Sequence, residues 1–109
     1  MKNLPAPLTA RSLVLPVAGR DHLQGSIAAP IALIEYGDYE CPYCGEAYSV
    51  VKEVQDKLGD HLCFAFRNFP LNNMHPHAQH AAEAAEAAGA QGRVWALHDL
   101  LFENQEPLY

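Results

Sequence analysis

The chain has 109 residues, half of them apolar, which suffices for one domain with a single hydrophobic core. Its formal net charge of −6 disfavours nucleic acid as a partner, because an acidic surface repels phosphate backbones. The sequence lacks an apolar run of about 18 residues, so it predicts no membrane-spanning helix and no membrane partner.

Residues 1–28 are predicted to form an irregular lead-in, because prolines and glycines punctuate them. Residues 11–17 can add a short edge strand, since a sheet edge tolerates Pro16 better than a sheet centre does. The same prolines interrupt any apolar stretch after Met1, so no secretory signal is recognisable. We therefore expect a cytoplasmic protein, or a periplasmic one if a leader has been removed.

The next segment predicts a β-α-β unit. Residues 31–36 are continuous and nearly all apolar, as in a strand buried within a parallel sheet. From Cys41 to residue 58, apolar residues recur at three- and four-residue steps, which indicates an amphipathic helix that Gly59 ends. Residues 62–66 predict a second strand, and the short joints imply a right-handed parallel crossover.

Two helices are predicted to follow. Pro76 is suited to the first position of an alanine-rich helix that extends to about residue 88. Its small side chains let another element approach closely, so we expect it to be sandwiched. The third helix spans residues 94–102, with Trp95 as a packing anchor and His98 as a core histidine.

The motif Cys41-Pro42-Tyr43-Cys44 lies where the first strand ends and the first helix starts. A thiol reacts as its thiolate, and the free N–H groups and positive dipole end of a helix favour negative charge there. We predict that Cys41 is the exposed attacking thiol. Cys44 lies one turn further in, is more shielded, and resolves the mixed disulfide. A stabilised thiolate makes the disulfide form a stronger oxidant.

Two acidic residues upstream are candidates for proton transfer. Glu35 is the only charge in the first strand, and a buried carboxylate has a raised pKa that suits exchange of protons with Cys44. Asp38 is closer in sequence but lies on the connecting turn, where we expect water to reach it. We therefore assign the proton role to Glu35.

Tyr39 and Tyr43 flank the cysteines and, with Pro42, are predicted to shape a shallow apolar surface for a substrate peptide. Cys63 is expected to be a small buried hydrophobe. A cluster of histidines has no regular spacing that puts every member on one face, so we predict no metal site; its members are His75, His77 and His80.

Several short motifs, in order and spacing, resemble the DsbA-like branch of the thioredoxin superfamily from about residue 20 onward. They are Asp21-His22 with Gly25, Ala29-Pro30, Glu35-Tyr36-Gly37-Asp38-Tyr39, the Cys41–Cys44 motif, Phe66-Arg67-Asn68-Phe69-Pro70-Leu71, His75-Pro76 with Ala78, and Gln91-Gly92 with Trp95, His98-Asp99 and Leu101-Phe102.

The resemblance implies an α/β fold over residues 29–109: a thioredoxin-like β-α-β unit followed by a helical insertion. It implies a thiol–disulfide oxidoreductase that exchanges disulfides with protein substrates through Cys41, and we expect no bound cofactor. Family members carry an acid at the position of Glu35. The family's C-terminal ββα part, with its substrate-binding cis-proline loop, is not recognisable before Tyr109.

Without that part, the first strand would expose an unpaired edge beside the active site. We therefore expect a homo-oligomer such as a dimer, or pairing with a missing C-terminal segment.

Three alternatives remain open. Cys-Pro-Tyr-Cys is also typical of glutaredoxin-like enzymes, which use glutathione. A truncated binding module could keep the cysteines without activity. Cys41, Cys44 and a histidine could instead bind zinc.

Overall fold

A computed structural model of the chain describes residues 17–18 and 20–105. In chain order, its elements are strand β1 (His22–Gln24), strand β2 (Ile31–Gly37), helix α1 (Pro42–Leu58), a short 3₁₀ helix (Gly59–His61), strand β3 (Leu62–Asn68), helix α2 (Ala78–Ala90) and helix α3 (Val94–Glu103). The described residues therefore form a mixed α/β structure.

The three strands form one sheet in the order β1-β3-β2. β2 and β3 are parallel, with Ile31 opposite Leu62 and Gly37 opposite Asn68. β1 pairs antiparallel with β3. The predicted parallel β-α-β crossover is thus confirmed. The prediction that β2 is a buried strand is wrong, because it has only one sheet neighbour among the described residues and only its last residue, Gly37, is buried.

Several element boundaries differ from the prediction, and one strand was not predicted. β3 continues two residues further, to Asn68. α2 begins at Ala78, because Pro76 and His77 lie in a turn where the His77 N–H donates to the Glu40 carboxyl at 2.8 Å. β1 lies inside the predicted irregular lead-in, and its three residues are too few to show a strand periodicity.

Most of the edge strand predicted at residues 11–17 lies outside the described part of the chain. Only Val17 is described, and it belongs to no regular element. Among the described residues, β1 and β2 are the edge strands of the sheet. The Trp95 indole N–H donates to the carbonyl of Leu23, in β1, at 3.0 Å. Trp95 is therefore the packing anchor that was predicted.

The core lies between the sheet and the helices. Buried aromatic rings of the active-site turn, β3 and α3 pack on the alanine face of α2; the cluster comprises Tyr39, Phe64, Phe66, Ala81, Ala85 and Phe102. The methyl side chains of Ala81 and Ala85 let the backbone of α2 approach these rings closely. Among the described residues, α2 packs on this face only, because Glu83, Ala84 and Glu86 on the other side are exposed, so the prediction that the alanine-rich helix is sandwiched is wrong.

His98 lies inside this core with 4% of its surface exposed. Its Nδ1 is 2.9 Å from the Tyr39 hydroxyl. Burial lowers the pKa of His98 to about 4, so the imidazole is neutral at physiological pH. The predicted core histidine is confirmed.

None of the helices within residues 17–18 and 20–105 combines the length and hydrophobicity needed to cross a bilayer.

Candidate active site

Cys41 caps the amino end of α1, directly after the turn that leaves β2. Its backbone is extended (φ −77°, ψ 123°), and Pro42 takes the first helical position. The Gly45 N–H donates to the Cys41 carbonyl at 3.1 Å, which closes the first helical turn. Pro42 lacks an N–H, so its place in this turn costs no hydrogen bond. The Cys41 side chain therefore lies where the unpaired amides of the helix begin.

Three hydrogen bonds fix the backbone around Cys41. The Cys41 N–H donates to the Asp38 carbonyl at 3.1 Å. The Gln105 side-chain amide, beyond the end of α3, donates to the Tyr39 carbonyl at 2.9 Å and to the Cys41 carbonyl at 2.7 Å. A side chain at position 45 would overlap Gln105, so Gly45 makes this crossing possible. No pattern in the sequence indicated that Gln105 contacts the active-site turn, because it lies more than 60 residues after Cys41 in the chain.

The predicted order of exposure of the two thiols is wrong. Only 9% of the surface of Cys41 is exposed, whereas Cys44 is half-buried and thus the more exposed of the two. Cys41 is drawn inward because the preceding turn is itself buried, with Asp38, Tyr39 and Glu40 exposed by 3%, 1% and 2%. Both cysteines are free thiols in this structure.

The environment of Cys44 favours its protonated form. Burial raises the pKa of Cys44 to about 11, with further contributions from the neighbouring Cys41 thiol, which hydrogen-bonds to it, and from the charge of Glu35. A hydrogen bond from the Asp38 backbone opposes this shift in part. Cys44 therefore holds its proton at neutral pH and must lose it to act as a nucleophile.

Glu35 projects from β2 on the face shared with Gly37 and Phe66. Burial raises the pKa of Glu35 to about 7. A side chain on Gly37 would overlap the Phe66 ring and come within 3.1 Å of a Glu35 carboxyl oxygen, so Gly37 leaves room for this carboxyl. Glu35 is thus a half-buried acid that is partly protonated near neutral pH and close enough to Cys44 to influence it electrostatically.

We expect Glu35→Gln to flatten the pH dependence of the free energy of unfolding between about pH 4.5 and 7. The pKa of Glu35 rises from 4.5 to about 7 on folding, so its contribution is fully present below pH 4.5 and is lost as pH rises through 7. As pH rises from 4.5 to 7, the free energy of unfolding of the variant should increase by about 1–2 kcal/mol relative to that of wild type. This value is reduced because the carboxyl is partly exposed.

Urea unfolding at several pH values measures this gain. Glu53→Gln, at an exposed position of α1, is the matched control and should keep the wild-type pH profile. A Glu35→Gln profile parallel to that of wild type would contradict the assignment.

Asp38 is buried rather than reached by water, which corrects the expectation for this residue. One carboxyl oxygen accepts the Glu40 N–H at 2.7 Å. The other accepts the Leu71 N–H at 2.9 Å and lies 2.8 Å from His75 Nδ1. With the bond from His77 N–H to Glu40, these contacts clamp the loop 71–77 against the active-site turn.

The two tyrosines beside the cysteines have different environments. Tyr43 is 79% exposed and Pro42 is also exposed, so both are accessible to a substrate. Tyr39 is 1% exposed and packs on Phe66 with ring centroids 5.0 Å apart. The prediction that Tyr39 lines a substrate surface is therefore wrong, because its ring is part of the core.

The other candidate ligands do not form a metal site within the described part of the chain. No three side chains of His, Cys, Asp or Glu converge there. His75 pairs with Asp38, and His77 and His80 are exposed. The zinc alternative thus lacks a ligand set among these residues. Cys63 is 2% exposed in β3, in agreement with its predicted packing role.

A C-x-x-C motif at the start of the helix in a parallel β-α-β unit defines a thioredoxin-like fold. A thioredoxin family model matches residues 18–108, and the chain belongs to this family.

Two solved structures place it in the DsbA-type branch. BdbD from Bacillus subtilis is 30% identical with a TM-score of 0.68, and the match covers 78% of this chain and 48% of BdbD. α-DsbA1 from Wolbachia pipientis is 26% identical with a TM-score of 0.71, over 87% of this chain and 47% of that one. The chain thus spans about half the length of these proteins.

A relative with higher sequence identity is named as an ion antiporter and not as a thiol oxidoreductase. The Na⁺/H⁺ antiporter NhaA 1 of Mycolicibacterium vanbaalenii is 42% identical over 95% of this chain, but the match covers only 17% of the antiporter. The chain therefore spans about a sixth of the length of that relative.

Proposed function

We propose that the chain is a thiol–disulfide oxidoreductase that exchanges disulfides with protein substrates, with Cys41 as the attacked and attacking sulfur and Cys44 as the resolving one. The observation that carries this proposal is the placement of Cys41 at the amino end of α1, with Cys44 in the first turn of the same helix. The DsbA-type solved structures support the reaction class.

In the oxidising direction, a substrate thiolate attacks the Cys41 sulfur of the Cys41–Cys44 disulfide. The sulfur–sulfur bond breaks, and Cys44 leaves with the electron pair. A second substrate thiolate then attacks the substrate sulfur of the mixed disulfide and releases Cys41 as a thiolate. The substrate loses two electrons and two protons and gains a disulfide, while the chain gains a dithiol.

Glu35 is proposed to supply the proton that Cys44 takes up when it leaves. The pKa of Glu35 is about 7, whereas that of Cys44 is about 11, so transfer from the acid to the new thiolate is favourable. In the reverse step, the Glu35 carboxylate accepts the proton as Cys44 attacks. A half-buried carboxyl suits both roles because both of its protonation states are populated near neutral pH.

The open edge of β2 is proposed to pair with a strand from outside the described residues. Ile31 and Tyr36 of β2 are 45% and 53% exposed. A second copy of the chain or a C-terminal segment, such as the additional half of the solved relatives, could cover this surface. Light scattering after gel filtration distinguishes a dimer from a monomer, and a stable monomer alone would contradict the dimer.

The match to the antiporter is confined to a small part of that protein. We infer that the matching sixth of that relative is a thioredoxin-like module, and that ion transport is carried by the rest of its chain.

The proposed compartment depends on the direction of disulfide exchange. An oxidant acts where disulfides persist, as in the periplasm, and a reductant acts in the cytoplasm.

The proposal is tested by mixing the oxidised chain with a reduced peptide that contains two cysteines. We expect one peptide disulfide to form for each Cys41–Cys44 pair that is reduced, as followed by mass spectrometry. A glutaredoxin-like enzyme would instead require a glutathione mixed disulfide as substrate. A folded chain that is inert toward both peptide and glutathione would support the non-catalytic binding module and contradict the proposal.

A further inference from the structure

The side chain of Gln105 reaches the active-site turn from beyond the end of α3. Its amide nitrogen lies 2.9 Å from the carbonyl oxygen of Tyr39 and 2.7 Å from that of Cys41. A carbonyl oxygen only accepts hydrogen bonds, and the amide nitrogen has two N–H groups, so Gln105 can donate to both at once. It therefore bridges the two peptide groups that follow Tyr39 and Cys41.

This bridge holds Cys41 in the conformation that places it directly before the helix. Its ψ of 123° is extended, whereas a helical residue has ψ near about −42°. The Cys41 side chain makes no capping hydrogen bond, so it does not itself hold this geometry. Because ψ sets the direction of the carbonyl relative to the side chain, a carbonyl bound by Gln105 keeps the sulfur at the amino end of α1.

We propose that Gln105 is a positioning residue for disulfide exchange, which acts by fixing the Cys41 carbonyl. This inference rests on the proposed function, because it assigns Gln105 a part in that reaction. Without the bridge, Cys41 can leave the extended conformation, and only the remaining fraction of molecules keeps the sulfur against the free N–H groups of the helix. The thiolate that forms on Cys41 when the disulfide is reduced is then stabilised less.

Gly45 provides a second way to remove the bridge. A methyl group at this position of α1 would overlap the side-chain oxygen of Gln105. The Gln105 side chain is the flexible partner, so the methyl group displaces its amide from both carbonyls. Alanine otherwise suits the interior of a helix better than glycine does. Gly45→Ala is thus expected to reproduce the loss of Gln105 without changing that residue.

The test measures the equilibrium between the chain and a glutathione buffer. Two glutathione thiols reduce the Cys41–Cys44 disulfide to a dithiol and become one glutathione disulfide. Acid quenching, alkylation of the free thiols and mass spectrometry give the reduced fraction of the chain. A substitution that destabilises the reduced and oxidised forms equally leaves this equilibrium constant unchanged. The constant therefore separates an effect on the sulfurs from a general loss of stability.

We expect Gln105→Ala to shift the equilibrium toward the disulfide by about 5-fold, because the Cys41 thiolate loses part of its interaction with the helix end. Gln105→Glu should shift it by about 10-fold in the same direction, since a carboxylate cannot donate to the carbonyls and also repels the thiolate. Asn104→Ala is the matched control, because Asn104 is exposed and its amide donates to the Leu100 carbonyl of α3 at 2.9 Å. It should stay within about 2-fold of wild type.

Gly45→Ala should match Gln105→Ala, with a shift of about 5-fold. In the double variant the shift should remain about 5-fold, because both substitutions remove the same bridge. Shifts that multiply to about 25-fold in the folded double variant would overturn the role of Gln105. A folded Gln105→Ala variant within about 2-fold of wild type would overturn it as well, and either result leaves the proposed function intact.

The wild-type chain tests the proposed function in the same experiment. A folded chain in which Cys41 and Cys44 form no disulfide at any ratio of glutathione to its disulfide would overturn that function, and the role of Gln105 with it.

Discussion

Replacing Cys41 with serine is expected to reduce the rate of disulfide formation in a two-cysteine peptide by at least about 1000-fold. A serine hydroxyl cannot form a disulfide, so no mixed disulfide can form at the amino end of α1. The remaining Cys44 holds its proton, because burial raises its pKa to about 11. It is therefore a poor substitute for Cys41. The measurement is the initial rate of peptide oxidation under a fixed glutathione buffer.

Cys63→Ala is the matched control, since it also removes one thiol. Cys63 is 2% exposed in β3, so its loss should leave the rate within about 2-fold of wild type when the variant is folded. A Cys41→Ser variant that retains most of the wild-type rate would show that the reaction takes place at another sulfur.

Replacing Asp38 with alanine is expected to lower the free energy of unfolding by about 3 kcal/mol. The substitution leaves the Glu40 N–H, the Leu71 N–H and His75 Nδ1 without the carboxyl that now binds them. Since Asp38 is 3% exposed, water cannot readily replace these bonds in the folded chain. Urea unfolding gives the change in stability.

Hydrogen exchange separates this clamp from a general loss of stability. The amides of Leu71 and His77 should exchange faster in Asp38→Ala by more than the global change predicts, because the loop 71–77 is released from the active-site turn. Asp56→Ala, at an exposed position of α1, is the control and should change stability by less than about 0.5 kcal/mol. Equal effects of the two substitutions would contradict the clamp.

The elements that could be predicted are those whose pattern is complete within one stretch of chain. β2 is a continuous apolar run, and α1 begins at a proline and ends before Gly59. The start of α2 was misplaced because the bond from His77 N–H to Glu40 holds the first residues after Pro76 in a turn. β1 was missed since three residues carry no periodicity.

The site was predictable in its residue types and less so in its surroundings. The position of Cys41 at a helix end follows from the adjoining strand and helix, but its exposure depends on how the turn of Asp38, Tyr39 and Glu40 packs. The partners of that turn lie far along the chain and are Leu71, His75, His77, His98 and Gln105. Such contacts are set by the tertiary fold, and local sequence patterns do not encode them.

The most direct test of the central claim is to trap the reaction intermediate in Cys44→Ser. The variant is mixed with a peptide supplied as a disulfide, so that Cys41 attacks one peptide sulfur and the other leaves as a thiolate. Without its resolving thiol, the chain should accumulate the mixed disulfide, and peptide mapping should place that bond on Cys41. Trapping on Cys63, or no trapping in a variant shown to be folded, would contradict the assignment of Cys41 as the reacting sulfur at the start of α1.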